Sequence, residues 1–329
     1  MRRRDDAVAL LILVVSMVLM ARTAAALPDR WPWIWATWAF ALPFLLMLAP
    51  GAQAWLRERA VARPRLGSLV PAVLAVAAVL VAALTESVPL WRLVALPALV
   101  ALAVVLVGRD EEEPGGWRLI GGALALGLVA GIWDRALKIP VPGNTSIGLA
   151  FFLAVALGLF LYTAVRPLRT MNVGLALPWR DLGVALAGFA GVVALAIPGG
   201  FAIDFVIWNP RLADTGFALA RLLGLIVFVG IPEEILFRGL IQEGLGRLWG
   251  ARAGWLVASL VFGLSHITKK TGLTAAQGEE LFGLNWRYAL LATVAGLGYG
   301  WVYRRTGRVS AAALTHGMVN WVWSGFFGR

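Results

Sequence analysis

Long apolar stretches separated by short basic gaps dominate this sequence and restrict what it can fold into. A helix needs roughly 20 mostly apolar residues to cross the hydrocarbon core of a bilayer. Eleven stretches of the 329-residue chain approach that length. They cover about residues 7–26, 32–50, 68–84, 89–107, 118–133, 147–165, 182–200, 216–236, 254–267, 287–303 and 309–327. The pattern predicts an all-α fold, a polytopic integral membrane helical bundle with about 11 transmembrane helices.

The composition excludes the common soluble classes. Hydrophobic residues make up 60% of the chain and charged residues 14%, whereas soluble domains carry about 25% charged residues. The sequence contains no cysteine, which excludes a disulfide scaffold, a zinc–thiolate site and a cysteine nucleophile. The net charge of +11 does not indicate a nucleic-acid partner, because the basic residues lie in gaps, as they do in cytoplasmic loops of membrane proteins. The expected partner is the lipid bilayer.

Arginines in alternate gaps predict the orientation of the chain. They are Arg2, Arg3, Arg4, Arg57, Arg59, Arg63, Arg65, Arg109, Arg118, Arg166, Arg169, Arg180, Arg247, Arg252, Arg304, Arg305 and Arg308. Basic residues are enriched on the cytoplasmic side, so we predict a multi-pass protein of the cell membrane with a cytoplasmic N-terminus. The basic start, the apolar stretch and Ala24-Ala25-Ala26 also resemble a signal peptide. A retained first helix is the simpler interpretation.

Most of the apolar stretches have no ionisable side chain near their centres, and the exceptions lie in the C-terminal part of the chain. The set comprises Glu233, Glu234, Arg238, His266, His316 and Asn320. Both histidines of the chain belong to it. An ionisable group in the apolar core of a membrane costs about 2.5–3.5 kcal/mol on insertion scales. These residues are therefore the candidate functional site.

Helical spacing assigns different roles to the members of this set. Glu234 and Arg238 are four residues apart, so they share a face and are expected to pair. Each residue advances about 100° around a helix, which leaves Glu233 free to face a cavity. His316 and Asn320 are also four apart and project side by side.

Two neighbouring residues are expected to shape the site. Phe262 precedes His266 by one helical turn and is predicted to orient it by packing. Pro232 predicts a kink just before the acidic pair. At about 1.5 Å per residue, His266 and Asn320 each lie roughly 18 Å from the cytoplasmic end of their helices. The sequence therefore predicts one water-filled pocket open to the cytoplasm.

The chemistry of these side chains suits peptide hydrolysis inside a membrane. A buried carboxylate is a good general base, so Glu233 with His266 could hold and deprotonate a water molecule. His316 and Asn320 could donate hydrogen bonds to a developing oxyanion. The same residues also suit polar contacts between helices. The sequence has no His-Glu-x-x-His, Gly-x-Gly-Asp or Gly-x-Ser-Gly motif, which disfavours other intramembrane proteases.

The three segments resemble the CPBP family of CAAX proteases and bacteriocin-processing enzymes, also called Abi or Rce1-like. The family pattern is Glu-Glu-x-x-x-Arg, then Phe-x-x-x-His, then His-x-x-x-Asn in successive membrane helices. The matching segments begin at Glu233, Phe262 and His316, and the resemblance covers about residues 215–325. It implies a protease core at 181–329, preceded by a transmembrane extension of unknown role at 1–180.

The resemblance implies a role for each site residue. Glu233 and His266 would activate water, and His316 with Asn320 would stabilise the oxyanion. Glu234 and Arg238 would support the acidic helix. A metal-free mechanism is our preferred interpretation. The alternative is a catalytic zinc bound by Glu233, His266 and His316, because Glu and His are zinc ligands.

The resemblance also implies a substrate class, a membrane-embedded or membrane-anchored protein or peptide. Two other functions stay open. One is a non-catalytic scaffold or immunity protein of the same family. The other is a proton-coupled transporter in which Glu233 and His266 form a relay. The gap at 268–286, with Lys269, Lys270, Glu279 and Glu280, is predicted to be a solvated loop, with a gate as the alternative.

Overall fold

The computed structural model describes most of the chain as helix. The described residues are 2–26, 31–85, 88–108, 114–133, 138–141, 145–168, 171–210, 215–269 and 284–327. They form two compact units, Met1–Ala176 and Leu177–Arg329. Each of the eleven predicted stretches overlaps a described helix. The helical fold class is confirmed.

The first unit contains seven described helices and one hairpin. The helices are α1 (Arg2–Ala26), α2 (Trp31–Met47), α3 (Pro50–Ala62), α4 (Leu66–Thr85), α5 (Leu90–Val107), α6 (Gly116–Trp133) and α7 (Leu149–Leu159), which continues as a π-helical segment, Phe160–Val165. The strands β1 (Lys138–Val141) and β2 (Thr145–Gly148) are antiparallel, with Lys138 opposite Gly148. This hairpin is a small departure from the all-α prediction, and it lies where Pro140 and Pro142 disfavour a helix.

The second unit carries all six candidate site residues. Its helices are α8 (Trp179–Ala202), α9 (Thr215–Leu225), α10 (Ile231–Glu234), α11 (Glu243–Trp249), α12 (Ala251–Leu264), α13 (Trp286–Thr306) and α14 (Val309–Val322). Three π-helical segments, each continuing a helix, are Ile226–Gly230, Ile235–Gln242 and Trp323–Phe327. Helix α13 packs against both α8 and α12, and α14 packs against α8 and α10.

Three described helical segments are long and apolar enough to cross a membrane, namely Leu66–Ala83, Leu90–Val107 and Trp179–Ala202. A fourth arises if Trp38–Met47 and Pro50–Ala62 are one span bent by 87°. The protein therefore has membrane-capable helices, and the total of about eleven spans stays a prediction.

One predicted gap is a helix. The sequence placed residues 51–67 between two spans, but α3 occupies most of this segment. Pro50 is in the first turn of α3, where its missing N–H is tolerated. The Gly51 N–H donates to Asp6 Oδ1 at 2.7 Å, which satisfies another of the amides that a helix N-terminus leaves unpaired. The sequence did not predict this helix, because a segment that contains both charged and apolar residues was interpreted as a gap between two spans.

Two hydrogen bonds connect the N-terminal end of α1 to other parts of the first unit. Asp5 is buried, and its Oδ1 accepts a hydrogen bond from the Ala176 N–H at 2.6 Å. Asp6 accepts from Gly51, as described above. Removal of α1 would leave both amides without these acceptors.

Candidate active site

The acidic pair lies on a helix whose turns widen on both sides. The π-helical segments Ile226–Gly230 and Ile235–Gln242 flank α10, and Pro232 lies in its first turn. Such π-helical turns are rare and frequently occur at functional sites. Glu234 is fully buried, whereas Glu233 retains 19% side-chain exposure. The two neighbouring carboxylates therefore have different environments, as the helical rotation predicted.

Glu234 forms the predicted ion pair with Arg238. Arg238 Nε lies 2.8 Å from Glu234 Oε2, and both side chains are fully buried. Arg238 Nη1 also donates to Gln242 Oε1 at 3.3 Å, and Gln242 Nε2 donates to the Gly300 carbonyl at 3.4 Å. A chain of polar contacts thus connects the acidic helix to α13. Gln242 was not among the predicted site residues.

Glu234 has a second partner that the sequence did not reveal. His316 Nδ1 lies 2.9 Å from Glu234 Oε1, and His316 Nε2 lies 3.9 Å from Glu233 Oε2. Because an ionised carboxylate only accepts hydrogen bonds, Nδ1 carries the proton that is donated to Glu234. The His316 ring therefore lies between the two carboxylates, with Nε2 directed toward Glu233.

Two aromatic rings fix the plane of the His316 imidazole. Tyr299 stacks on it with a centroid distance of 4.5 Å and an interplanar angle of 14°. Phe262 meets it edge-on at 5.7 Å and 90°. Tyr299 is 1% exposed and was not predicted as a site residue. Its position between Gly298 and Gly300 was the available signal, since small residues mark close helix packing.

His266 is oriented by the residue that the spacing indicated. Its Nδ1 lies 2.9 Å from the Phe262 carbonyl and 3.0 Å from Ser265 Oγ. The Phe262 and His266 rings are 4.8 Å apart, which confirms the predicted packing. Since a carbonyl only accepts, Nδ1 is the donor, and Nε2 is left to face other groups. Tyr288 contacts the same imidazole edge-on at 5.1 Å.

One cavity of about 140 Å³ brings four of the six predicted residues together. Glu233, His266, His316 and Asn320 line it. Glu234 and Arg238 are not lining residues and lie behind His316 as its support. Tyr299, Tyr288 and Lys269 also line the cavity, and the rest of its wall is largely apolar.

Glu233 has unused hydrogen-bonding capacity in the cavity. Its Oε2 atom is buried and has no hydrogen-bond partner among the residues that the structure describes. A buried acceptor without a partner loses its hydration with no compensation. The position suits an acceptor for a small polar molecule such as water, which fits the volume of the cavity.

The geometry does not favour a metal centre. Within the described ranges, no group of three or more His, Cys, Asp or Glu side chains is arranged to hold a metal ion. We therefore derive no catalytic step through zinc. Of the predicted loop at 268–286, residues 270–283 lie outside the described residues, so the choice between loop and gate stays a prediction.

Gly230 lets the acidic helix approach α14. A methyl group added there would lie 2.6 Å from the Ala313 carbonyl oxygen, so Gly230→Ala should force the two helices apart. We expect a loss of about 1–3 kcal/mol in the free energy of unfolding, as for other overpacked sites, and reduced activity because Glu234 and His316 separate. Thermal unfolding in detergent measures the first effect.

Gly224→Ala is the matched control for this prediction. Gly224 lies in α9, and an added methyl group there meets nothing within 4 Å. This change should be neutral or stabilising by up to about 1 kcal/mol, since alanine is the better helix former. Equal behaviour of the two variants would contradict the proposed close approach at Gly230.

A comparison with known families identifies the segment that holds these groups. Residues 215–322 match the family model described as type II CAAX prenyl endopeptidase Rce1-like. This segment is similar to the Rce1-like family. The match contains all six predicted site residues, and it leaves residues 1–214 uncovered. No curated protein and no solved structure matched the chain.

The Rce1-like match indicates a general activity, a substrate class and a location. The family implies protease activity and a membrane-associated peptide substrate. Together with the apolar helices of the described residues, it indicates a membrane protein. The family match confirms the resemblance that the three segments suggested.

Proposed function

We propose that the protein is an intramembrane endopeptidase of the CPBP type, which hydrolyses peptide bonds of a membrane-embedded or membrane-anchored protein or peptide. The observation that supports this most directly is the convergence of Glu233, His266, His316 and Asn320 on one cavity, with Glu233 Oε2 left without a hydrogen-bond partner. A general base and oxyanion donors around one small space are the requirements for attack by water on a carbonyl.

In the proposed mechanism, Glu233 accepts a proton from a water molecule in the cavity while His266 holds that water. The oxygen attacks the carbonyl carbon of the scissile peptide bond, and the carbonyl oxygen becomes an oxyanion. Glu233 then delivers the proton to the leaving nitrogen, and the carbon–nitrogen bond breaks. The overall reaction consumes one water molecule and hydrolyses one peptide bond to a carboxylic acid and an amine.

The oxyanion is stabilised by His316 and Asn320. Glu234 accepts the Nδ1 proton of His316 and so directs Nε2 toward the cavity. When both ring nitrogens are protonated, Nε2 is a donor as well. The Asn320 amide supplies a second donor on the same helix face. Removing one such donor typically reduces the rate by about 10²–10³.

The proposed mechanism uses no residue of the first unit. Residues 1–180 form the predicted transmembrane extension, and the core at 181–329 carries every group used in the mechanism. We propose the cell membrane as the location, with multiple spans and a cytoplasmic N-terminus, which fits the arginines of the alternate gaps.

Hydrolysis by the purified full-length protein tests the proposal. The protein is reconstituted into liposomes with peptides that are anchored by one apolar helix and differ near the membrane boundary. We expect mass spectrometry to detect new termini, and we expect the yield to be unchanged by a metal chelator. Loss of cleavage with the chelator and its recovery with zinc would establish the metal alternative. Absence of cleavage across such a library, with folded protein, would favour the non-catalytic scaffold.

A further inference from the structure

A second charged region lies in the first unit, outside the Rce1-like segment. Helix α3 bends by 87° from the apolar segment Trp38–Met47. It is followed by the apolar segment Leu66–Ala83, whose mean hydropathy is 2.5. Residues 50–65 therefore form a charged turn between two apolar helical segments.

This segment is basic and exposed. Its arginines are Arg57, Arg59, Arg63 and Arg65, all of them exposed. Glu58 is the only acidic residue between 50 and 65. Among the residues that the structure describes, no ion pair connects these arginines to a carboxylate. Four cations against one anion leave a surface that attracts a negatively charged partner.

Apolar side chains accompany the arginines. Trp55 is 51% exposed and Val61 is 74% exposed. The Arg59 guanidinium carbon lies 3.6 Å from the centroid of the Trp55 ring, within the range of a cation–π contact. Tryptophan beside cationic groups is typical of the zone between headgroups and acyl chains. The combination favours a lipid surface over a soluble anion.

A fifth arginine in the same region has an unused donor. Arg166 follows the π-helical segment Phe160–Val165, which packs against α3. A methyl group at Gly67 would lie 3.2 Å from Val165 Cγ1, so this part of the chain passes beside the turn that follows Arg65. Arg166 Nη2 is buried and has no hydrogen-bond partner among the described residues. Arg166 therefore adds a fifth cation beside the C-terminal end of α3.

The nearby acidic groups are already engaged elsewhere. Asp6 accepts from the Gly51 N–H, at the opposite end of α3 from Arg59 and Arg63. Asp5 accepts from the Ala176 N–H. The unpaired carbonyls at the C-terminal end of α3 carry a partial negative charge, which stabilises arginines at that end of the helix. Glu58 alone among the acidic residues lies within the segment 50–65, so the four arginines keep an excess of positive charge.

We propose that Arg57, Arg59, Arg63, Arg65 and Arg166 form a binding surface for the headgroup phosphate of an anionic phospholipid. Arginine suits this ligand, because its planar guanidinium donates two parallel hydrogen bonds to a phosphate. Trp55 and Val61 contact the upper acyl chains of the same lipid. The surface is distinct from the proposed catalytic cavity, so it does not depend on the proposed function.

The test measures lipid binding by the full chain in a neutral detergent, using native mass spectrometry. We expect saturable binding of phosphatidylglycerol in preference to phosphatidylcholine. One basic residue near an anionic membrane surface contributes about 5-fold in affinity. The variant Arg57→Gln/Arg59→Gln/Arg63→Gln/Arg65→Gln should therefore lose at least about 100-fold. If it does not fold, Arg57→Gln/Arg63→Gln should lose about 25-fold.

A charge-matched control separates a defined surface from net charge. The variant Arg180→Gln/Arg252→Gln/Arg304→Gln/Arg305→Gln removes the same number of exposed arginines from the second unit and should retain tight phosphatidylglycerol binding. Equal loss in both variants would overturn the proposal, and so would unchanged binding in the first. Full competition by inorganic phosphate would also overturn it, because the site would then take a free anion and not a lipid.

Discussion

We expect Glu233→Gln to abolish hydrolysis while the protein stays folded. The amide cannot accept a proton from water, and general-base catalysis contributes about 10²–10⁴ to a rate. We therefore expect cleavage of an anchored peptide to fall by at least about 100-fold. Glu233 Oε2 has no hydrogen-bond partner among the described residues, so the isosteric change should leave the thermal unfolding temperature nearly unchanged.

Glu243→Gln is the control for this result. Glu243 belongs to the same run of helix and pairs with Arg247 at 2.8 Å, with each side chain 22% exposed. It does not line the cavity, so its loss should leave cleavage intact. Cleavage by the Glu233→Gln variant at the wild-type rate would contradict the assignment of Glu233 as the base. A comparison of membrane proteomes from cells that carry either form would also identify natural substrates.

Arg238→Ala is expected to destabilise the protein strongly. It leaves Glu234 charged and fully buried, with His316 as its remaining described side-chain partner. Breaking a buried ion pair by removing one member costs about 3–5 kcal/mol. Unfolding by heat in detergent should show a large decrease in midpoint temperature, and activity should fall because the support of His316 is lost.

A second Glu–Arg pair in the same helix provides the comparison. Glu243 and Arg247 have the same sequence spacing and the same 2.8 Å separation as Glu234 and Arg238, but they are partly exposed. Arg247→Ala should cost only about 0.3–0.5 kcal/mol, as for other exposed helix pairs. The double variant Glu234→Gln/Arg238→Leu should recover much of the stability lost in Arg238→Ala, since no buried charge is left alone. A double variant as unstable as the single one would contradict this explanation.

The sequence predicted what depends on local spacing. The length of the apolar stretches located the helices, and the four-residue interval between Glu234 and Arg238 located the ion pair. Phe262 was predicted to orient His266 for the same reason, and the structure shows their rings in contact. Each of these relations lies within one helix, where residue number determines direction.

Relations between distant parts of the chain were not accessible from spacing. Glu234 and His316 are 82 positions apart, and nothing in either segment indicates which nitrogen faces which carboxylate. The stacking of Tyr299 on His316 likewise depends on how α13 and α14 pack. The helix at Pro50–Ala62 was missed because charged positions were interpreted as loop.

The double engagement of Glu234 has a consequence for biogenesis. Its carboxylate joins Arg238 on its own helix to His316 on α14, the last regular α-helix of the described residues. Ribosomes deliver α14 after the acidic helix, so Glu234 lacks its histidine partner until His316 has been synthesised. The proposed site is therefore incomplete in any nascent chain that has not yet reached α14, since His316 and Asn320 both belong to that helix.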